Sequence, residues 1–232
     1  RDDSPRIRAA AVRALAQTDE PGVTEALAPA LKDADPWVRY FAAGAVGRYG
    51  NGEAITTLAR LVQEDPAGHV RIAAAKALGE IGGAEAVALL ASLIDNPEKD
   101  LALAALAALG RSDHPDARAV LLKTLRHRDP ARRAAAVRSL GRHCDVTVAN
   151  TLQWTAAADG DEEVGRAAVE VLGTAATPEA VTAPLGLVQE PGRREEVIAA
   201  LAGMGDEQLA WIAGAFAPSR LETRLAIVEA LL

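Results

Sequence analysis

The feature that most constrains the fold is a phrase that recurs along the chain at steps of 29 to 32 residues. Its copies are DSPRIRAAAVRAL at 3–15, DPWVRYFAAGAVG at 35–47, DPAGHVRIAAAKALG at 65–79, DPARRAAAVRSLG at 129–141 and the looser DEEVGRAAVEVLG at 161–173. Two columns keep this step: first Arg8, Arg39, Arg71, Ala102, Arg133, Gly165, Arg194 and Arg224, and seven places later Leu15, Val46, Leu78, Leu109, Leu140, Leu172, Leu201 and Leu231. A period of this length is typical of repeat proteins, in which each unit packs on its neighbours.

The residues of the phrase predict an α-helix. Asp35 can accept hydrogen bonds from the first backbone N–H groups, and Pro36 occupies the first turn, where its missing N–H costs nothing. One buried stripe is predicted at helical spacing: Val38, Ala42, Ala45 and Val46. The glycines that close the phrases are expected to be C-terminal caps: Gly47, Gly79, Gly110, Gly141 and Gly173.

A second helical segment lies between successive phrases. Examples are GEAITTLARLVQ at 52–63, GAEAVALLASLID at 83–95, DARAVLLKTLRH at 116–127 and DEQLAWIAGAF at 206–216. In two others, Pro29 and Pro184 are expected to bend the helix without ending it, since the apolar pattern continues past them. No alternating strand pattern competes. Because one helical hairpin of about 31 residues cannot bury its apolar face alone, the hairpins must stack into an α-solenoid.

The phrase DxxxVRxxAAxALG, seen at 65–79 and shifted slightly at 35–47, resembles a HEAT-like repeat of the phycobilisome-lyase type. The resemblance covers essentially the whole chain and implies an all-α, right-handed superhelix of about seven to eight repeats with partial ends. It also implies that the second helix of each hairpin, built on the phrase, lines the concave surface. The sequence departs from the pattern at Asn96, Ala102 and Gly165, and the last two repeats lack the closing glycine.

We expect residues 1–232 to form one HEAT-like repeat domain that is a fragment of a longer chain, because the sequence opens within a phrase and ends on IVEALL. Repeats that resemble these occur in scaffolds, lyase-related proteins, DNA glycosylases and hydroxylases, so the resemblance indicates a fold and not an activity. No apolar run is long enough to cross a membrane, and one cysteine, Cys144, excludes an internal disulfide. A reducing, cytoplasmic location is therefore expected, with no membrane insertion.

Charge is unevenly distributed. Residues 1–143 hold 20 Lys and Arg against 18 Asp and Glu, whereas residues 144–232 hold 5 against 14. An acidic second half argues against nucleic-acid binding along the full length. Only 3% of residues are aromatic although half are apolar, which favours close packing of Ala-rich and Leu-rich helices.

The sequence offers little that suggests catalysis. Its histidines, His69, His114, His127 and His143, include no His-Glu pair of the kind that the resembling hydroxylases use to hold iron, and no two at i, i+4. His143 and Cys144 are adjacent, but neighbours in a helix diverge by about 100°. We therefore predict no catalytic residue, no metal site and no cofactor. The Asp and Arg columns are expected to cap helices and to bridge neighbouring repeats.

A variable stripe on the phrase helices is the candidate binding surface, because positions that vary beside fixed columns are free of packing constraints. Trp37 and Tyr40 lie one turn apart among cations, and such residues dominate binding hot spots. The alternative is that Trp37 merely covers the adjacent hairpin. The candidate partner-binding residues on the concave face are Arg6, Arg13, Trp37, Tyr40, Arg48, His69, Lys76, Arg111, Arg138 and Arg142.

A second candidate is a basic patch at 118–142, with Arg118, Lys123, Arg126, Arg128, Arg132, Arg133, Arg138 and Arg142 against the single acid Asp129. It is either a solvated face or a phosphate or nucleic-acid site, although it lacks aromatic residues for base stacking. The function predicted from sequence is a non-catalytic scaffold that binds a protein partner on its concave face. The alternatives are nucleic-acid or phosphate binding through 118–142 and a bilin-lyase-like chaperone or transferase.

Overall fold

A computed structural model describes residues 4–18, 22–49, 52–175, 177–190, 192–216 and 219–231. All regular structure in these segments is helical. The helices built on the repeated phrase, called motif helices below, are α1 (Pro5–Leu15), α3 (Pro36–Tyr49), α5 (Gly68–Ile81), α7 (Lys99–Leu109), α9 (Pro130–Ser139), α11 (Glu162–Gly173), α13 (Arg194–Ala202) and α15 (Leu221–Leu231). The intervening helices are α2 (Val23–Leu27), α4 (Ile55–Glu64), α6 (Gly83–Ser92), α8 (Pro115–Thr124), α10 (Val146–Ala158), α12 (Pro178–Thr182) and α14 (Asp206–Phe216).

The chain divides into two compact units, Arg1–Val120 and Leu121–Leu232. In the first unit the motif helices pack in sequence, α1 on α3, α3 on α5 and α5 on α7, while α2, α4 and α6 form a second layer against them. In the second unit α9, α11, α13 and α15 stack in the same way, with α10, α12 and α14 in the second layer. The predicted all-α solenoid of stacked hairpins is confirmed. A single domain over 1–232 stays a prediction.

The core of each unit consists of small and branched aliphatic side chains. The predicted stripe of α3, Val38, Ala42, Ala45 and Val46, is buried against the neighbouring helices. The second column is buried from Leu78 to Leu201, whereas Leu15 is 37% exposed. Ala at many contact positions lets the helices pack closely.

Aspartates cap several helices as predicted. The Asp35 carboxylate accepts hydrogen bonds from the Trp37 and Val38 N–H groups, and Asp129, Asp145 and Asp161 cap α9, α10 and α11 in the same way. Asp65 is different, because α5 begins only at Gly68 and Asp65 accepts the Ala67 N–H ahead of the helix.

The predicted prolines change the type of helix. α2 ends at Leu27 and the chain continues as a 3₁₀ helix, Ala28–Lys32, around Pro29. α12 likewise ends at Thr182 and is followed by a 3₁₀ helix, Ala183–Leu187, around Pro184. A proline removes an i→i−4 hydrogen bond, so the helical path continues with tighter i→i−3 bonding instead of a simple bend.

The prediction that the phrase glycines are C-terminal caps is wrong for most of them. Gly47 and Gly79 lie inside α3 and α5, and Gly141 lies in a 3₁₀ segment, Leu140–His143, while Gly110 ends α7 with a right-handed φ of −63°. A Cβ added at Gly79 would lie 2.7 Å from the Ala108 Cβ. At Gly47, Gly79 and Gly173, though not at Gly141, adjacent motif helices therefore approach too closely for any side chain.

Candidate functional site

The arginine column forms a ladder between repeats. Each guanidinium reaches from a motif helix to a carboxylate that precedes the next motif helix. The paired residues are Arg8 with Asp33, Arg39 with Asp65, Arg71 with Glu98, and Arg133 with Asp159, at 2.6–3.0 Å. Most of these side chains are largely shielded from solvent. The predicted bridging role is confirmed, and these charges are not free to bind a partner.

A second column sits six residues before the arginines. In five successive repeats its side chain accepts the backbone N–H two residues further on. The residues are Asp33, Asp65, Asn96, His127 and Asp159. Where this column holds the neutral Asn96, Glu98 supplies the carboxylate for Arg71. The two columns thus fix both the loop before each motif helix and its contact with the previous repeat.

One of the two repeats that lack the arginine receives a guanidinium from the next repeat. Gly165 stands at the arginine position, and the Arg193 guanidinium fills the volume that a side chain at Gly165 would occupy. Arg193 also binds Glu196 at 2.9 Å. The departure at Gly165 is therefore compensated by a residue that belongs to a different position of the repeat.

The arginine ladder lowers the pKa values of three of the carboxyl groups that it holds. The hydrogen bond from Arg8 lowers the pKa of Asp33. Burial raises the pKa of Asp65 and of Asp159, but the hydrogen bonds from Arg39 and Arg133 and from backbone N–H groups outweigh it, so both pKa values fall below the ordinary value of 3.8. A carboxylate that is ionised and hydrogen-bonded in the folded state stabilises that state.

Acid is therefore expected to weaken the fold in a defined range. Because the folded pKa values of Asp33, Asp65 and Asp159 lie below 3.8, their stabilisation is complete above pH 3.8 and is lost as the pH falls through the lower, folded values. Urea unfolding from pH 6 to pH 2 measures this loss. The double variant Arg39→Ala/Asp65→Ala should show a shallower decline below pH 4, and an identical decline would contradict the ladder's role.

The candidate site is a groove of about 250 Å³ on the motif-helix layer of the first unit, called the motif-helix groove below. Its lining comes only from α1, α3 and α5 and the two residues after α1. The lining residues are Arg13, Ala16, Gln17, Tyr40, Phe41, Gly44, Ala45, Arg48, Ala73, Lys76, Ala77 and Glu80. No described side chain of the other layer lines it. Four of the residues predicted from the variable stripe, Arg13, Tyr40, Arg48 and Lys76, thus come together here.

The floor and rim of the groove have different chemistry. Gly44, Ala73 and Ala77 form a floor without long side chains. Arg13, Arg48 and Lys76 are exposed on the rim and make no ion pair with any described residue. The Arg13 guanidinium lies 5.3 Å from the centre of the Phe41 ring, within the range of a cation–π interaction.

The rim carries little compensating charge. Glu80 is the only acidic side chain among the described lining residues, and its carboxylate lies 3.7 Å from Arg111. Arg111 also donates a hydrogen bond to the Lys76 carbonyl at 3.0 Å, so it belongs to the edge of the groove. The groove is therefore a positively charged trough with aromatic walls.

An aromatic cluster lies at the N-terminal ends of α3 and α5. Trp37 stacks on His69 of the next repeat, with ring centres 4.5 Å apart, and Tyr40 meets Trp37 edge-on at 5.6 Å. Trp37 nevertheless remains 54% exposed. It covers the adjacent hairpin and also presents an open face, and its role in partner binding stays a prediction. Arg6 lines a shallow depression beside Trp37.

The remaining predicted residues lie in the second unit. Arg138 pairs with Glu163, and Arg142 is exposed in the 3₁₀ segment after α9. A continuous stripe of all ten residues stays a prediction. Arg138 differs from the groove cations because its guanidinium is already paired with the Glu163 carboxylate.

The basic patch at 118–142 is not a row of free cations. Among its described residues, Arg132 binds Asp129, Arg133 binds Asp159, and Arg138 binds Glu163. Lys123 and Arg126 are exposed and line a separate depression beside Trp154. The pairing of Arg132, Arg133 and Arg138 lowers the density of free positive charge that phosphate binding would need.

Sequence reasoning missed Phe41 and Trp154. Phe41 follows Tyr40 on the same helix, and its departure from the Ala-rich pattern of the other phrases was a usable signal. Trp154 lies on an intervening helix, which the search of the motif helices did not include.

The histidines and the cysteine do not assemble a reactive centre in the described part of the chain. Cys144 is buried, and its burial, with a smaller effect from Asp145, raises the pKa of its thiol. No group of three or more His, Cys, Asp or Glu side chains is placed to hold a metal ion within the described segments. None of the described helices has the length and apolar character needed to cross a bilayer.

The fold and the ladder define an α-solenoid in which arginines of four repeats tie neighbouring helical hairpins together. HEAT-repeat models match residues 1–79, 24–105 and 88–157, and the chain belongs to the HEAT-repeat family. The resemblance proposed from the phrase is thereby confirmed. No curated protein matches the sequence.

Solved structures share this fold at low sequence identity. The complex of CpcE and CpcF of phycocyanin lyase from Nostoc sp. PCC7120 is similar with a TM-score of 0.55 and 22% identity, over 99% of this chain and 90% of that one. Human deoxyhypusine hydroxylase is similar with a TM-score of 0.43 and 20% identity, over 99% and 90%. The Mot1 N-terminal domain, solved in complex with TBP, is similar with a TM-score of 0.45 and 14% identity, over 100% of this chain and 39% of that one.

Proposed function

We propose that this chain is a non-catalytic scaffold that binds a protein partner in the motif-helix groove and on the adjoining Trp37 cluster. The observation that carries the proposal is the convergence of Arg13, Arg48 and Lys76, exposed and without ion pairs among the described residues, around a floor of small residues. Elsewhere in the repeats most arginines are already paired. Charges left unpaired on a rigid helical layer are available to a ligand.

A protein partner fits this surface better than a nucleic acid. Trp, Tyr and Arg are the residues that contribute most to protein–protein binding, and all three lie on or beside the groove. Nucleic-acid binding needs a longer series of phosphate contacts than three cations supply. CpcE and CpcF, which share the fold, form a complex with each other, which supports a protein-binding role for this fold.

Filling the groove should abolish binding without harming the fold. A Cβ added at Gly44 would meet no heavy atom within 4 Å, so Gly44→Trp can place its indole in the groove. Replacing a glycine within a helix also raises helix propensity, by up to about 1 kcal/mol. We expect a melting temperature equal to or above that of the wild type and a loss of partner affinity of about 30-fold or more.

The partner can be found through the same position. A photo-crosslinking amino acid at Gly44 should capture a protein from an extract of the producing cells, and the same group at the exposed Thr56 of α4 serves as the control. The captured protein is then purified, and its affinity is measured for Gly44→Trp, Trp37→Ala and Arg48→Ala. Arg60→Ala, an exposed cation on α4, is the matched control.

Three outcomes would contradict the proposal. Capture that is equal at positions 44 and 56 would show that the groove is not preferred. An affinity unchanged by Gly44→Trp would place the binding elsewhere. Salt-dependent binding of duplex DNA, or a co-purified chromophore detected by absorbance, would favour the nucleic-acid or the bilin-lyase-like alternative.

A further inference from the structure

The second unit exposes a tryptophan that the ladder and the motif-helix groove do not use. Trp154 lies on α10, in the layer of intervening helices, and is 71% exposed, more than any other large apolar side chain in the described residues. It borders a depression of about 750 Å³ between α10 and the end of α8 with the chain that follows it. Tryptophan is among the residues most enriched at protein-binding hot spots.

The walls of this depression combine apolar and cationic groups. Leu122 and Leu125 supply apolar surface opposite Trp154, and Lys123 and Arg126 are exposed at the rim. Neither cation makes an ion pair with a described residue. Such a rim favours a ligand with carboxylates spaced around an apolar side chain.

The floor of the depression offers no free acid. Asp159 lines it, but its carboxylate accepts two hydrogen bonds from Arg133 at 2.7 and 2.8 Å. Thr155 is buried there, and its hydroxyl donates to the Thr151 carbonyl at 2.8 Å. The polar groups of the floor are therefore satisfied within the protein, and the unmatched charge of the depression is positive.

We infer that this depression, the Trp154 site, binds an acidic segment of a partner protein, with an apolar side chain on the Trp154 ring and carboxylates beside Lys123 and Arg126. The site lies on the intervening-helix layer and shares no residue with the motif-helix groove. It does not depend on the proposed function of that groove.

The site suits an acidic peptide better than a single-stranded nucleic acid. Proteins that bind single strands stack successive bases on several aromatic side chains along a basic track. Here Trp154 is the only aromatic ring of the tryptophan, tyrosine or phenylalanine type among the described lining residues, and Arg133 is already paired. One ring and two free cations match a short segment with one anchor.

A peptide-display selection tests the inference. Random 12-residue peptides are selected on the full chain after depletion on Trp154→Ala, so that only ligands that need Trp154 remain. We expect enriched peptides that are acidic and carry one aromatic or leucine anchor. Thermal unfolding of Trp154→Ala should match that of the wild type, because the side chain is exposed.

The affinity of the enriched peptide for charge variants then tests the contribution of the two cations. Lys123→Glu and Arg126→Glu should each weaken its binding about tenfold or more, whereas Arg60→Glu should leave it unchanged. Gly44→Trp should also bind it normally, which separates this site from the motif-helix groove. The inference would be overturned if no peptide were enriched in a Trp154-dependent way, or if the enriched peptides lacked acidic residues. Trp154-dependent binding of oligo-dT that is tighter than peptide binding would also overturn it. So would a Trp154-dependent dimer of this chain in sedimentation.

Discussion

Replacing Arg39 with Ala is expected to lower the free energy of unfolding by about 3–5 kcal/mol. The Arg39 guanidinium holds the Asp65 carboxylate with two hydrogen bonds, at 2.6 and 2.9 Å, and Asp65 is only 6% exposed. It also donates to the carbonyls of Asp33 and Ala34 at 2.8 and 3.0 Å. Removing it leaves a buried carboxylate with no cation and two carbonyls without their donor.

Urea unfolding followed by circular dichroism at pH 7 measures this effect, with Arg166→Ala as the control. Arg166 pairs with Glu162 and Glu163, and all three of these side chains are more than half exposed; Arg166 also lies 3.9 Å from Glu196, which stays paired with Arg193 in the variant. Exposed pairs contribute about 0–1 kcal/mol. The double variant Arg39→Ala/Asp65→Ala should recover part of the loss, because no buried charge is then left unpaired. Equal losses for Arg39→Ala and Arg166→Ala would show that the ladder does not hold the repeats together.

Replacing Gly79 with Ala should separate two motif helices and cost about 1–3 kcal/mol. An added Cβ would lie 2.6 Å from the Ala108 carbonyl oxygen and 2.8 Å from its Cα. These are backbone atoms of α7, so relief requires α5 and α7 to move apart along their contact. Alanine is a better helix former than glycine by about 1 kcal/mol, which offsets only part of the cost.

Gly141→Ala is the matched control. It belongs to the same column of the repeat, but its added Cβ would meet only the Val171 side chain, at the ordinary contact distance of 3.5 Å. Its φ is not in the left-handed region. A change within about 0.5 kcal/mol, or a small gain, is expected at Gly141. Similar melting temperatures for Gly79→Ala and Gly141→Ala would refute the interpretation of the column as a packing contact.

Local signals in the sequence determined the helices and their repetition. The 31-residue period, the Asp35–Pro36 start and the stripe through Val38 and Val46 are consequences of capping and helical periodicity, which act within about ten residues. The bridging role of the arginine column also followed from its period, because a residue that recurs once per unit serves the unit. The convergence of Tyr40 and Arg48 in one groove followed from their shared helix face.

The tertiary structure decided everything that depends on which residues meet across repeats. Gly79 has the sequence signature of a cap. A Cβ added there would nevertheless lie 2.7 Å from the Ala108 Cβ, so Gly79 is a contact between helices. Arg193 fills the space above Gly165, although nothing local connects the two positions. Two cations of the basic patch, Arg133 and Arg138, are paired because Asp159 and Glu163 come from the next repeat. Whether a side chain is paired or free depends on partners 25 to 35 residues away, and only the packing of the hairpins brings those partners within reach.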